Sequence, residues 1–513
     1  MEKPTPLPSD GTSQVVPKTA ETFDRLYAIR VMAILAGLVT IVMYIEGMLT
    51  PSLPTIASDF SVSVSQVSLV LSVYLVTGVA LSPIAGKLGD VYGKKKVLTV
   101  VLVLYALAVS VTGFSPTFEF MVASRAAQGV GLTVFPLAMS LVREEFPREM
   151  VPRAQGLLSA LFGVGFAVSL PLGSFVSQAY GWRFTYHSAI PFVVAIAVAC
   201  ILLLRESPYR RPNAFVDYAG AGVLAGALAL IVLGLSQGPA WGWTSPAVLG
   251  MLVGGALLLL PVGFIELLLH RRGREVILDV RLLSQRNVLV ANLVLTISGL
   301  GMFLAFQALT FRLEYPHPVG FDQTIFETGL SFVAFAAAML VVAPLASLIV
   351  TRVGTKPLTI AGCLVGACGF FLASRADELP QLLGVMFVIG AGIALINAAV
   401  INLLVLTVEP RDMGLATAMN AVFRNVGSSI GAPIAGSLMA TFTVAVPVAV
   451  VGGQAVFATF PSSTAFDDAY YIAAIAFVIA AFLTLFAREI LGRRADVAAL
   501  ATDERPNVAA ASP

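Results

Sequence analysis

Gly86-Lys87-Leu88-Gly89-Asp90-Val91-Tyr92-Gly93-Lys94-Lys95-Lys96 lies between two apolar runs, 64–86 and 97–114. A helix that crosses a membrane needs about 20 mostly apolar residues. A short loop rich in lysine between two such runs reads as a turn held on the cytoplasmic side. The pattern continues outward. The other runs are 31–53, 118–141, 156–178, 187–204, 219–236, 246–268, 288–310, 328–349, 357–374, 381–406, 413–438 and 469–487. None alternates with the two-residue period of a barrel strand, so the expectation is an all-α polytopic membrane protein with fourteen transmembrane helices.

Composition leads to the same class. The chain has 513 residues, 58% hydrophobic and 12% charged, with mean hydropathy +0.90. A soluble globular protein carries about 25% charged residues. Collagen, intrinsic disorder and a cytosolic enzyme are excluded. The net charge of +2 gives no bulk basic signal for nucleic acid. Cys200, Cys363 and Cys368 all lie in apolar runs with no histidine beside them. They read as buried small hydrophobes, with no disulfide framework, metal site or cofactor. Residues 1–29 are polar, contain Pro4, Pro6, Pro8 and Pro17, and read as a disordered cytoplasmic tail rather than a cleavable signal.

The positive-inside rule tests the span count. With the N-terminus in the cytoplasm, 26 Lys/Arg fall inside and three outside, Arg183, Arg312 and Arg375. Arg125 and Arg424 lie within spans. A fifteenth span over 441–460 would contain Pro447 and Gly452-Gly453 and would move Arg488, Arg493 and Arg494 outside. Residues 439–468 are therefore expected to form an external loop. Trp182, Trp241 and Trp243 fall in outer loops, where an aromatic belt belongs.

The chain also echoes itself. Residues 82–95 resemble 343–356 at an offset of 261, and Val164-Gly165 with Pro171 resembles Val426-Gly427 with Pro433 at an offset of 262. Each echo shifts by eight helices. A six-helix repeat with two helices between the copies gives that shift, hence 6+2+6. The expected parts are 30–205 and 287–490 as six-helix bundles, 206–286 as the inserted pair with its linkers, and 491–513 as a cytoplasmic tail.

Residues 86–96 resemble the loop signature of the major facilitator superfamily, G-x-L-a-D-r-x-G-r-r/k. Arg125-Ala126-Ala127-Gln128-Gly129-Val130-Gly131 resembles its second signature, R-x-x-q-G-x-g. The two inserted helices, Gly181-Trp182-Arg183, and Asn420 with Arg424-Asn425 are similar to the 14-helix drug:proton antiporter branch. The branch's acidic residue in the first helix corresponds to Glu46, before Thr50-Pro51-Ser52-Leu53-Pro54 in place of A-L-P. Its helix-five signature G-x-x-x-G-P-x-x-G-G reads here G-F-A-V-S-L-P-L-G-S from Gly165 to Ser174.

The resemblance implies a proton-coupled exporter of amphipathic small molecules at the cell membrane, working by alternating access. A carrier of one defined solute, as uniporter or proton symporter, stays open on the same fold. No D-D-x-x-D pair of acidic clusters and no Walker motif is present, which argues against an enzyme. The expected partners are a small-molecule substrate, protons and membrane lipid, with a monomeric carrier. The gating loop would use Gly86, Asp90, Gly93, Lys94 and Lys95. Asp90 would meet the start of the thirteenth helix near Met413, and the lysines would pair with Glu144 or Glu145.

Polar residues inside spans are the cavity candidates: Tyr44, Tyr74, Gln128, Asn292, Gln307, Asn397, Asn402, Asn420 and Arg424. Glu46 and Arg125 are the coupling candidates. Each lies seven residues from the outer end of its run, about 10 Å deep at 1.5 Å per residue. They are expected to face each other directly or across a water. A static staple between helices is the competing role for the pair.

Overall fold

The computed structural model describes residues 25–147, 149–206, 216–271, 280–409, 412–451 and 454–489. Most of both expected tails, and parts of the two linkers, lie outside these. The first helix starts at Arg25, five residues before the expected boundary at 30.

The first half contains α1 (Arg25–Gly47), α2 (Leu53–Asp59), α3 (Val64–Val67), α4 (Leu69–Tyr92), α5 (Lys94–Thr112), α6 (Phe118–Gln128), α7 (Val134–Glu145), α8 (Val151–Tyr180) and α9 (Trp182–Leu203). Then come α10 (Tyr218–Trp241), α11 (Pro246–Arg271) and the short α12 (Val280–Leu283). The second half has α13 (Arg286–Glu314), α14 (Ile325–Val353), α15 (Thr355–Ala373), α16 (Leu379–Thr407), α17 (Met413–Thr441) and α18 (Ser463–Leu485). Helix starts follow local chemistry. Ser63 with Gln66 and Thr324 with Glu327 form capping boxes.

Among the described residues, 13 helical segments are long and apolar enough to cross a membrane. They treat α1–α2, α3–α4 and α6–α7 as single spans. Helix α17 is as long, at 29 residues, but Asn420, Arg424, Asn425, Ser428 and Ser429 dilute its apolar character. Internal prolines such as Pro83, Pro171 and Pro344 are accommodated within these helices.

Small residues let the backbones touch. Gly427 and Gly431 of α17 lie against the carbonyls of Thr296 and Leu300 on α13. Gly392 of α16 lies against Gly366 of α15.

The sequence echo has a structural counterpart. Gly93 and Gly354 both take positive φ, 106° and 102°, which a side chain would strain. Each precedes a helix whose first amides are capped by a distant glutamate. The N–H groups of Lys95 and Lys96 donate to Glu206, and those of Thr355 and Lys356 donate to Glu489. The preceding arginine is tied back to the first helix of its own half: Arg205 N–H donates to Tyr27 and Arg488 N–H to Asn287.

The two halves meet at the end opposite the 86–96 loop. Gly329 of α14 packs on Ser174 and the Leu170 carbonyl of α8. Gly436 of α17 packs on Val64, Ser65 and Ser68. Phe326 N–H donates to Gln178 Oε1 (2.7 Å), and Gln307 donates to the Val64 carbonyl (3.3 Å). Phe166 stacks on Phe306 with centroids 5.3 Å apart. Helix α10 packs on α11 and also on α4 and α17, so it lies along this seam. Ser65 and Ser236 exchange hydrogen bonds through each other's carbonyl there.

Three expectations need correction. The 439–468 segment is not simply a loop: α17 runs to Thr441, and β1 (Thr443–Val451) pairs antiparallel with β2 (Gln454–Pro461), with a bulge between Pro447 and Ala449. Val444, Val446, Val448 and Val450 alternate with smaller or turn-forming residues, as a strand allows. Trp182 is buried at the start of α9 rather than sitting in a belt, whereas Trp241 and Trp243 are exposed. Cys200 and Cys363 are buried, but Cys368 is exposed on α15.

Candidate functional site

The membrane interior of the first half holds one connected polar cluster. Helix α1 ends at Gly47, one residue past Glu46, and the chain turns through a 3₁₀ segment, Thr50–Ser52. Helix α6 likewise gives way to a 3₁₀ segment, Gly129–Thr133, just after Arg125 and Gln128. Two glycines of that segment do the local work. Gly129 lies on the α4 backbone at Tyr74 and Gly78, and Gly131 lies under the ring of Tyr105. A side chain at either position would push the neighbour away.

Arg125 is wholly buried. Its Nε donates to the Val70 carbonyl (3.0 Å) and its NH1 to Gln128 Oε1 (2.8 Å). Gln128 in turn donates to Thr112 (2.5 Å). The guanidinium stands 4.3 Å from the centroid of the Tyr74 ring. Its NH2 lies 3.4 Å from Glu46 Oε2, an ion pair with both groups buried. The other carboxylate oxygen, Oε1, accepts from the Tyr105 hydroxyl (3.3 Å). Tyr186, also fully buried, stands beside the guanidinium.

Taking two charges out of water costs several kcal/mol per ion, which close pairing and added hydrogen bonds offset. Arg125 has such bonds at Nε and NH1, while its NH2 faces only the Glu46 carboxylate. Glu46 has one partner other than the arginine, so its charge is the less secured of the two.

The sequence-selected residues do not gather in one cavity. Glu46, Tyr74, Arg125 and Gln128 form the cluster just described. Asn420 donates to Asn292 (3.1 Å) in a separate pair inside the second half. Gln307 lies at the seam. Asn402 donates to the Ala398 carbonyl of its own helix. Tyr44, Asn397 and Arg424 are half-buried. The sequence reading passed over Tyr105, Thr112 and Tyr186. Tyr105 lies nine residues from the outer end of the 97–114 run, near the depth of Glu46 and Arg125, and that depth was the available signal.

At the loop, Lys94 pairs with Asp90 (3.1 Å) and with Glu144. The recorded ion pair of Asp90 is thus with its own loop, one helical turn away. A Cβ at Gly86 would meet nothing, so close packing is not its role in this conformation. At the opposite end, Asp59 Oδ2 accepts from Trp182 (2.8 Å) and Arg183 (3.2 Å), which accounts for the Gly181-Trp182-Arg183 segment.

Helix α8 retains close packing where its signature departs from the branch. Gly165 meets the Thr40 carbonyl and Gly173 the Met48 backbone. Where serine replaces glycine, the glycine stands across the contact: Ser169 faces Gly47, and Ser174 faces Gly329.

Thirteen membrane-length helical segments among the described residues, with a charged pair buried between them, fit a multi-pass membrane transporter. The chain belongs to the Major Facilitator Superfamily, whose profile matches residues 35–314 and 291–498. An uncharacterized MFS-type transporter of Mycobacterium tuberculosis is 30% identical over 436 residues, 82% of this chain and 62% of that protein. The chain thus spans somewhat under two thirds of that relative's length. The tetracenomycin C resistance and export protein of Streptomyces glaucescens is 27% identical over 397 residues, 76% of this chain and 71% of that protein. Among solved structures, a bacterial homolog of the human lysosomal transporter Spinster, in an inward-facing conformation, superposes with TM-score 0.64 at 13% identity. The match covers 90% of this chain and 97% of that one. At that identity the likeness concerns the fold.

Proposed function

We propose that the protein is a secondary active transporter of the cell membrane that exports amphipathic small molecules in exchange for protons by alternating access. The observation that carries this reading is the buried Glu46–Arg125 pair, a carboxylate secured well enough to stay inside the membrane and lightly enough to take up a proton. The export activities in the names of relatives support the substrate class. The arrangement we infer is fourteen spans, 6+2+6, with both termini cytoplasmic and α17 as the thirteenth span. Contacts between the halves at the end away from the 86–96 loop support an inward-facing state.

The test is substrate-stimulated proton release from proteoliposomes over a panel of unrelated amphipathic compounds. Release with several of them, abolished by a protonophore, is the expected result. A single saturable solute whose transport a protonophore leaves unchanged would replace this reading with the single-solute carrier. The topology has its own check: cysteines introduced at 242 and 495 should label from opposite sides of intact cells, and labelling from one side refutes the arrangement.

The loop is the proposed gate. In the outward-facing state Asp90 would leave its pairing with Lys94 for the positive N-terminal end of α17, a contact of about 0.3–2 kcal/mol. That shifts a two-state population severalfold. Asp90→Asn is expected to slow transport severalfold at normal expression. Wild-type turnover in that variant would remove the gate.

A further inference from the structure

The Tyr105 hydroxyl has two acceptors within reach, and both belong to α1. It lies 3.3 Å from Glu46 Oε1 and 3.5 Å from the Val42 carbonyl, one helical turn earlier. Neither contact is at the optimum for O–H···O, as fits one hydroxyl placed between two acceptors. The ring cannot easily leave. It is fully buried and seated on Gly131, where even a Cβ would collide with it. So the heavy atom is fixed and only the hydroxyl hydrogen is free to turn.

A carboxylate that gains and loses a proton changes what it asks of its neighbours. Ionised, it only accepts; protonated, it also donates. A buried neighbour that can only accept, or only donate, leaves one of the two states unsatisfied, and an unmade buried hydrogen bond is costly. A hydroxyl does both.

We propose that Tyr105 is a positioning residue whose hydroxyl alternates between Glu46 and the Val42 carbonyl, keeping Glu46 hydrogen-bonded in both of its protonation states. With Glu46 ionised, the Tyr105 O–H donates to Oε1. With Glu46 protonated, the new carboxyl O–H donates to the Tyr105 oxygen, and the Tyr105 O–H turns to the Val42 carbonyl. Tyr105 keeps its own proton throughout, and the only proton gained or lost is the one on Glu46. The switch needs no movement of α1 or α5. It rests on the reading of Glu46 as the proton carrier.

The experiment is an infrared pH titration of the full-length protein in liposomes, following the carbonyl stretch of the protonated carboxyl group and requiring no substrate. The Glu46 band is identified by its loss in Glu46→Gln. Tyr105→Phe keeps the ring on Gly131 and removes both bonds, of which the charge-assisted one to the ionised form is the stronger. Glu46 should then hold its proton to higher pH, and the midpoint should rise by about one pH unit. A 3-fluorotyrosine at 105 is a stronger donor in nearly the same volume, so the midpoint should fall. It also serves if the phenylalanine variant does not fold. Loss of the band in Glu46→Gln together with wild-type midpoints in both Tyr105 variants overturns the switch and leaves the carrier reading standing. If no titrating band depends on Glu46, both fall together.

Discussion

Glu46→Gln is expected to abolish uphill, proton-driven transport while leaving a folded protein that still binds and exchanges substrate. Removing one member of a buried pair typically costs about 3–5 kcal/mol, because the other charge is left uncompensated. Here Arg125 keeps the Val70 carbonyl, Gln128 and the face of Tyr74. Glutamine also preserves the volume at 46 and an oxygen for Tyr105. The destabilisation should therefore stay below the point at which the bundle fails. A static staple gives the opposite result: lowered thermal stability, with pH-dependent transport surviving in whatever protein folds. Counterflow and proton-driven uptake measured on the same vesicles separate the two. Retained uphill, pH-dependent transport in Glu46→Gln would dismiss Glu46 as the proton carrier.

Gly329→Leu should have an effect of similar size on the conformational cycle. A Cβ at 329 runs into the Ser174 side chain and comes within 2.7 Å of the Leu170 carbonyl, on the opposite half. A carbonyl of the helix backbone cannot turn aside as a side chain can. The halves must part at this end. Overpacking of about 1–3 kcal/mol, set against a tenfold change per 1.4 kcal/mol, shifts the two-state population by about 5- to 150-fold. In a background without native cysteines, Thr50→Cys is the reporter, since Thr50 is buried beside the same seam. Gly329→Leu should raise its labelling by a membrane-impermeant thiol reagent and stall transport. Gly366→Ala is the control. A Cβ there meets Phe477 of its own half, so it should strain packing without opening the seam. Unchanged labelling and full transport in Gly329→Leu would refute the seal.

Some of this was legible in the chain because helical rise is constant. Equal distances from the span ends put Glu46 and Arg125 at one depth, and the structure places them 3.4 Å apart. Membrane helices announce themselves by length, and the loop by its charge. Tyr105 was not singled out because one hydroxyl in an apolar run looks like ordinary filling. The serine-for-glycine exchanges in α8 read as a weakened signature, since their partners at 47 and 329 lie more than a hundred residues away in sequence. The hairpin was missed for another reason: Pro447 and the glycine pair were weighed only as helix breakers, and the valine alternation around them was not used.

The paired glutamates bear on how the chain is made. Glu206 ties the end of the first half to the start of α5, and Arg205 ties it to α1, using nothing beyond residue 206. Domains generally fold as units, N-terminal first, during synthesis. These fastenings use no residue of α13 or beyond, so they can form before that helix is made. At the end of the second half Glu489 accepts from the start of α15, and the Arg488 N–H donates to Asn287 of α13. Each half carries its own clasp, so the nascent chain can finish one assembly before committing residues to the next.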